Sequence, residues 1–265
     1  MNHTDYIEKN RQSWNARTDI HVGSEFYDLD GFIKGATSLK HIELGLLGDI
    51  SGKSLLHLQC HFGQDSLSLA RMGAEVTGID LSDKAVAKAK ELAATIGAQA
   101  EFICCDIYDL PDHLDKQFDI VFTSYGTIGW LPDLNKWASI VSRFLKPDGR
   151  FVFVEFHPVA WMFDDAFEKV GYNYFNDGPI PETQEGTYAD KNAPVKLEYV
   201  CWNHGLGEVV NNLVKNGLEI NSLEEYDYSP YNVFANPIEA GPEKFRVQHM
   251  DNKVPLTYSL IATKK

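Results

Sequence analysis

Cysteine is scarce. Cys60, Cys104, Cys105 and Cys201 are the four cysteines among 265 residues, and they form neither a CxxC pair nor a Cys/His array at zinc spacing. A disulfide scaffold and a structural zinc module are thereby excluded as readings, and a reduced, cytoplasmic setting is expected, with no metal. Positive charge is also short: 24 Lys and Arg stand against 38 Asp and Glu, a formal net charge of -14. A protein that tracks phosphate backbones normally presents a basic face. The densest basic run here, Lys84 to Lys90, alternates with alanines and reads as a solvated helix face. Neither nucleic acid nor an anionic membrane is expected as a partner. No apolar run approaches the ~20 residues that span a bilayer, and the opening MNHTDYIEKNRQSWN has no signal-peptide core. Also missing are a GxGxxG turn, a phosphate loop ending Gly-Lys-Ser/Thr, and a Ser/His/Asp signature.

What is present is ordinary globular material, 44% apolar and 23% charged, which argues against disorder. From Lys53 to Glu155 strand-like and helix-like stretches alternate. Strands are predicted at Ser54 to Gln59, Ala74 to Ile79, Glu101 to Cys105, Phe118 to Thr123 and Phe151 to Glu155. Helices are predicted at Asp65 to Met72 (stopped by Gly73), Asp83 to Ile96 (capped by Ser82, stopped by Gly97) and Leu134 to Leu145. Lys146-Pro147-Asp148-Gly149 reads as a turn. Further on, strands are expected at Val195 to Trp202, Leu218 to Tyr226 and Leu256 to Thr263, and a helix at Glu208 to Lys215. This alternation favours an α/β fold, a doubly wound and mostly parallel sheet that binds ligands at the carboxyl ends of its strands.

Those ends carry the chemistry. Strand one breaks at Gln59-Cys60-His61-Phe62-Gly63 and runs into a helix at Asp65. Such a turn aims backbone N–H groups and a helix N-terminus at one end of a ligand, here a carboxylate. Asp80 closes strand two, 17 residues after Gly63, where an acid can accept hydrogen bonds from both hydroxyls of a ribose. Asp106 closes strand three, where it can accept from an adenine amine. Leu81 and Ser82, Ile107, and Ser124 with Tyr125 stand beside these positions as further ligand contacts.

The run Leu55-Leu56-His57-Leu58-Gln59-Cys60-His61-Phe62-Gly63, then Val76 to Ser82, Cys105-Asp106-Ile107, Phe118-Asp119-Ile120-Val121-Phe122 and Leu145-Lys146-Pro147-Asp148-Gly149-Arg150 resembles the class I S-adenosylmethionine-dependent methyltransferases. The loop is similar to that of a bacterial methyltransferase-like subset with glutamine, cysteine and histidine in it. The resemblance implies a Rossmann-like, seven-stranded sheet whose antiparallel last strand is reached through a hairpin before Leu256. It implies S-adenosyl-L-methionine as cofactor and a small-molecule methyl acceptor. The implied domains are a helical cap or lid over residues 1–50 and a methyltransferase domain over 51–265, with an insertion at about 156–204. The family usually has an acid where His57 stands and glycines where Gln59 and His61 stand; Gln59 and Asp65 are expected to hold the amino-acid end instead. His57 itself reads as a packed core histidine. Trp14 and Asn15, taken as the end of an N-terminal helix, are expected to lie near the cofactor.

Methyl transfer from a sulfonium needs no enzyme nucleophile, and needs a base only where the acceptor must lose a proton. His157, after strand five, His204 and Tyr125 are the candidate catalytic groups. The assembly is expected to be a monomer or a homodimer. A non-catalytic S-adenosylmethionine-binding protein, a nicotinamide-dependent oxidoreductase, and an enzyme using the same cofactor for other chemistry are the competing readings.

Overall fold

The structure, a computed structural model, describes residues 3–234 and 236–265, with only the backbone of His3 and Thr4. Three helices come first: α1 (His3–His21), α2 (Leu29–Ile33) and α3 (His41–Leu47). The chain then alternates through β1 (Ser54–Leu58), α4 (Gln64–Arg71), β2 (Glu75–Asp80), α5 (Asp83–Ile96), β3 (Ala100–Cys104), α6 (Leu110–His113), β4 (Phe118–Ser124), α7 (Leu134–Phe144) and β5 (Leu145–Phe156). It continues through β6 (Ile180–Glu185), β7 (Lys196–Cys201), α8 (Leu206–Lys215), β8 (Leu218–Tyr226), β9 (Pro237–Gly241), β10 (Lys244–Val247) and β11 (Thr257–Lys264).

Seven strands form one sheet in the order β3-β2-β1-β4-β5-β11-β8. The pairs among β1 to β5 are parallel, and β11 runs antiparallel to both β5 and β8. A parallel sheet is covered on both faces, so its strands are apolar throughout; every residue of β1 is buried. Successive side chains on β4 and β5 divide between two cores. Val121, Phe151 and Phe153 pack with Trp137 of α7 and Leu213 of α8, whereas Ile120, Phe122 and Val152 pack with Leu47 of α3 and Leu69 of α4.

Local chemistry explains the boundaries. Helix α5 has the predicted limits: the Ser82 hydroxyl accepts from the Ala85 N–H at 3.0 Å, and Gly97 takes the left-handed stop at φ 67. Helix α4 begins at Gln64, one residue before the prediction. Three expectations are corrected. The Lys146–Gly149 turn lies inside β5: pairing with β4 jumps from Phe118↔Leu145 to Ile120↔Arg150, and Asp148 takes φ 61 in the bulge between them. Helix α1 runs seven residues beyond Trp14, to His21. The last strand is not reached by a simple hairpin, since residues 227–256 carry the β9–β10 ribbon.

Two of these elements close over the sheet. The insertion after β5 carries the antiparallel hairpin β6–β7. Helix α1 lies along β7, where the Asn10 amide bonds both backbone groups of Val200, giving to its carbonyl at 2.9 Å and receiving its N–H at 2.8 Å. Asn10 thus completes hydrogen bonds that a further strand would otherwise supply. Among the described residues, no helix is long and apolar enough to cross a membrane.

Trp137 is fully buried with ring centroids of Phe151 and Phe153 each 5.5 Å away. Trp137→Ala should lower unfolding stability by about 3–5 kcal/mol, read as a reduced urea midpoint at unchanged slope.

Candidate functional site

A cavity of about 1140 Å³ opens at the carboxyl ends of β1 to β5 and is roofed by α1 and the β6–β7 hairpin. The turn after β1 shapes its floor. Gln59, His61 and Gly63 all take left-handed backbone, at φ 54, 50 and 81. Side-chain-bearing residues pay ~1–2 kcal/mol there, so Gln59 and His61 hold under strain the path that glycine would take freely. Gly63 is needed for a different reason. A Cβ on it would lie 2.8 Å from the Ala89 Cβ and 2.9 Å from the Phe102 ring, so it is the contact point of the turn with α5 and β3.

Asp80 ties two turns together. One carboxylate oxygen accepts from the His61 N–H at 2.7 Å and the other from the Ser82 N–H at 2.9 Å. Burial raises its pKa to about 6 against the pull of those donors. Asp106 caps the 3-10 turn after β3 by accepting from the Tyr108 N–H at 3.0 Å. The Gln59 amide donates to the Thr127 carbonyl at 2.9 Å, which leaves its buried Oε1 without a partner among the described residues.

Most of the residues predicted from the sequence meet here. Gln59, Cys60, His61, Gly63 and Asp65 line the cavity from the first turn, Asp80 and Leu81 from the second, and Asp106 and Ile107 from the third. Ser124 and Tyr125 line it from the end of β4, Trp14 from α1, and His204 from the segment after β7. Two do not. Ser82 is fully buried outside the lining; its hydroxyl caps α5 and donates to Asn15 Oδ1 at 2.6 Å. His157 is turned away: its Nε2 meets Glu225 at 2.8 Å, and its Nδ1 accepts from the Val159 N–H at 3.1 Å. Both His157 ring nitrogens therefore serve the strand edge, against its expected place in the pocket. His204 lines the cavity, but its Nε2 donates to the Leu131 carbonyl at 2.7 Å and its Nδ1 lies 3.1 Å from Glu208. His57 packs inside β1 with Nδ1 2.8 Å from the Ser66 hydroxyl.

Tertiary structure adds residues that the linear text did not single out. His21 Nδ1 lies 2.9 Å from His61 Nε2, beneath the Trp14 ring. Burial and nearby Arg17 lower both imidazole pKa values, that of His21 to about 3, so the pair is neutral. Glu155, at the end of β5, accepts backbone N–H groups from Gly126, Thr127, Ile128 and Phe156 and so shapes the whole loop after β4. Tyr125 sits in that loop at φ 47, and its hydroxyl donates to Glu43 Oε2 at 2.6 Å. Glu43 is fully buried in α3, and its other oxygen accepts from the Lys40 N–H at 2.6 Å. A glutamate at the third position of a helix signals a cap; its reach to Tyr125, 82 residues away, leaves no trace in local sequence.

Burial raises the Glu43 pKa to about 7, partly offset by the Tyr125 hydroxyl. In the unfolded chain Glu43 loses its proton near pH 4, but in the folded chain it keeps it to about 7. Its contribution is therefore full at low pH and declines as pH rises between those values. Wild-type stability should fall by a component on the order of 3 kcal/mol over that range, and Glu43→Gln should remove that component in denaturation curves taken at successive pH values.

Residues 55–149 match the family of methyltransferase domains. Over 136 residues the chain is 29% identical to a ubiquinone biosynthesis O-methyltransferase of Idiomarina loihiensis, covering 50% of this chain and 56% of that one. Over 133 residues it is 35% identical to an uncharacterized methyltransferase of a Synechocystis strain, covering 49% and 60%. The chain thus spans little more than half the length of these curated relatives. Its fold superposes on geranyl diphosphate C-methyltransferase of Streptomyces coelicolor with a TM-score of 0.63 at 16% identity, covering 100% of both chains. That structure was solved with magnesium, geranyl diphosphate and S-adenosyl-L-homocysteine. The match to a methyltransferase domain lies on the strands and turns that build the cavity floor.

Proposed function

We propose that the protein transfers a methyl group from S-adenosyl-L-methionine to a small organic acceptor enclosed beneath α1 and the β6–β7 hairpin. The observation that carries this reading is the convergence of three strand-end turns, bearing Gln59, Asp80 and Asp106, on one cavity. The residues suit the group. The unpartnered, buried Gln59 Oε1 suits an ammonium, the Asp80 carboxylate suits a pair of ribose hydroxyls, and Asp106 suits an adenine amine. Residues 1–50 then act as the lid, and the insertion at about 156–204 forms the opposite wall. The family supports methyl transfer over mere binding, and the absence of GxGxxG speaks against nicotinamide.

When bound, S-adenosylmethionine supplies the activated methyl. The protein's part is placement and exclusion of water. The rings of Trp14, Trp130 and Tyr199 line the roof, and Asp80 holds the first turn in register. For a hydroxyl acceptor we assign the base to Tyr125 acting with Glu43. The Tyr125 oxygen takes the acceptor proton as its own passes to the Glu43 carboxylate along the 2.6 Å hydrogen bond. Glu43 must be ionised for this, so the rate should rise with pH through about 7. Tyr125→Phe should then lower kcat by roughly 10²–10⁴ with little change in cofactor affinity, and Glu43→Gln should abolish the ascending limb of the pH–rate profile.

Titration calorimetry with S-adenosylhomocysteine tests the cofactor assignment directly. The wild-type protein should bind it, and Asp80→Asn should weaken binding by about 10- to 100-fold. Absence of binding by the wild-type protein would refute the reading.

A further inference from the structure

The roof of the cavity contains a buried cation with no anion beside it among the described residues. Arg17, on α1, is 2% exposed yet lines the cavity. Its guanidinium donates to the Ser13 hydroxyl and, at 2.7 Å, to Gln184 Oε1 of β6. Both partners are neutral. The Nε–H has no partner among the described residues. Three rings surround the group, with centroids of Tyr199, Trp14 and Trp130 at 5.0, 5.5 and 5.6 Å. The titratable groups that bear on it are the hydroxyls of Tyr199, Tyr188 and Tyr27, neutral near pH 7 and raised further by burial, and the imidazoles of His21 and His61, which burial and Arg17 itself keep neutral. No carboxylate lies within ion-pair distance among the described residues, in a chain with 38 acidic side chains.

A buried charge held only by neutral groups is poorly compensated. Aromatic faces offset part of that deficit, but they do not use the free N–H. A guanidinium edge matches the two oxygens of a planar carboxylate. Arg17 reaches the cavity from the roof, with Trp14 standing between it and His61 of the first turn. Arg17 rests on Trp130, which follows β4, and on β6 and β7, while Gln59, Asp80 and Asp106 project from the ends of β1, β2 and β3.

We infer that Arg17 receives a carboxylate carried by the methyl acceptor. The inference rests on the methyltransferase reading above and narrows its substrate class to organic acids. The same contact would draw α1 and the β6–β7 hairpin together over the acceptor, since Arg17 already bridges them through Gln184.

Matched probes test this: benzoate against benzamide, 4-hydroxybenzoate against 4-hydroxybenzamide, and hexanoate against hexanamide. Each is titrated with and without saturating S-adenosylhomocysteine, by calorimetry and by the fluorescence of the tryptophans that flank Arg17. In at least one pair the acid should bind about tenfold or more tighter than the amide. Arg17→Met should erase that preference while leaving S-adenosylhomocysteine affinity within about twofold. Arg17→Lys, which keeps the charge and loses the fork, should reduce the preference without abolishing it, and it carries the test if the methionine variant does not fold. The inference is overturned if no pair is discriminated, if the preference survives Arg17→Met, or if that variant loses S-adenosylhomocysteine and acid in equal measure. Failure of the wild-type protein to bind S-adenosylhomocysteine would instead strike at the methyltransferase reading, because the acid–amide comparison is also made without it.

Discussion

The Asp80 carboxylate joins the turn after β1 to the turn after β2 by accepting one backbone N–H from each, at His61 and Ser82. The rest of the site depends on that join. His61 and Gln59 stand in left-handed backbone that their side chains disfavour, and a fixed acceptor at the end of β2 holds the strained path in place. Gly63 then lets the turn press against Ala89 and Phe102, which sets where α4 begins. The loop after β4 is governed in the same way by Glu155, whose carboxylate gathers four backbone donors. Two buried acids thus act as fixed points for backbone, and the cavity floor is the surface between them.

The roof follows a different logic. It is built largely from rings and neutral polar groups on α1 and the β6–β7 hairpin, which are joined to each other by the pairing of Asn10 with Val200. His21 and His61 meet as neutral imidazoles, and Tyr27 and Tyr188 meet hydroxyl to hydroxyl at 2.5 Å. In such surroundings the buried Arg17 guanidinium stands out, because the groups it touches are neutral. The floor is therefore acidic and suited to hydroxyls and amines, while the roof holds a buried positive centre in Arg17. A molecule held between them meets unlike chemistry above and below.

Tyr125 links the two. It belongs to the loop shaped by Glu155, lines the cavity, and bonds to Glu43 beneath it. Its ring meets Tyr231, which lies in the excursion between β8 and β11. The N-terminal helices, the central sheet and the C-terminal excursion therefore all converge on one phenol.

The amino-acid sequence by itself determined the alternating strands and helices, the limits of α5, and the three strand-end turns. These features are local: capping, glycine stops and apolar runs act within a few residues. It also determined that Gln59, Asp80 and Asp106 would share a site, since a parallel sheet puts successive strand ends on one edge. It missed β6 because that strand is mostly polar and none of its residues is buried, and β9 and β10 because they are short, at five and four residues. Tertiary structure alone decided that His157 turns to Glu225, that Ser82 is consumed by its cap and by Asn15, and that Glu43 and Arg17 reach the cavity region from the N-terminal helices. The physical reason is range. A side chain's hydrogen-bond partner is chosen by whichever distant element packs beside it, and sequence separations of 82 for Glu43 and Tyr125 and 167 for Arg17 and Gln184 leave no periodicity to read.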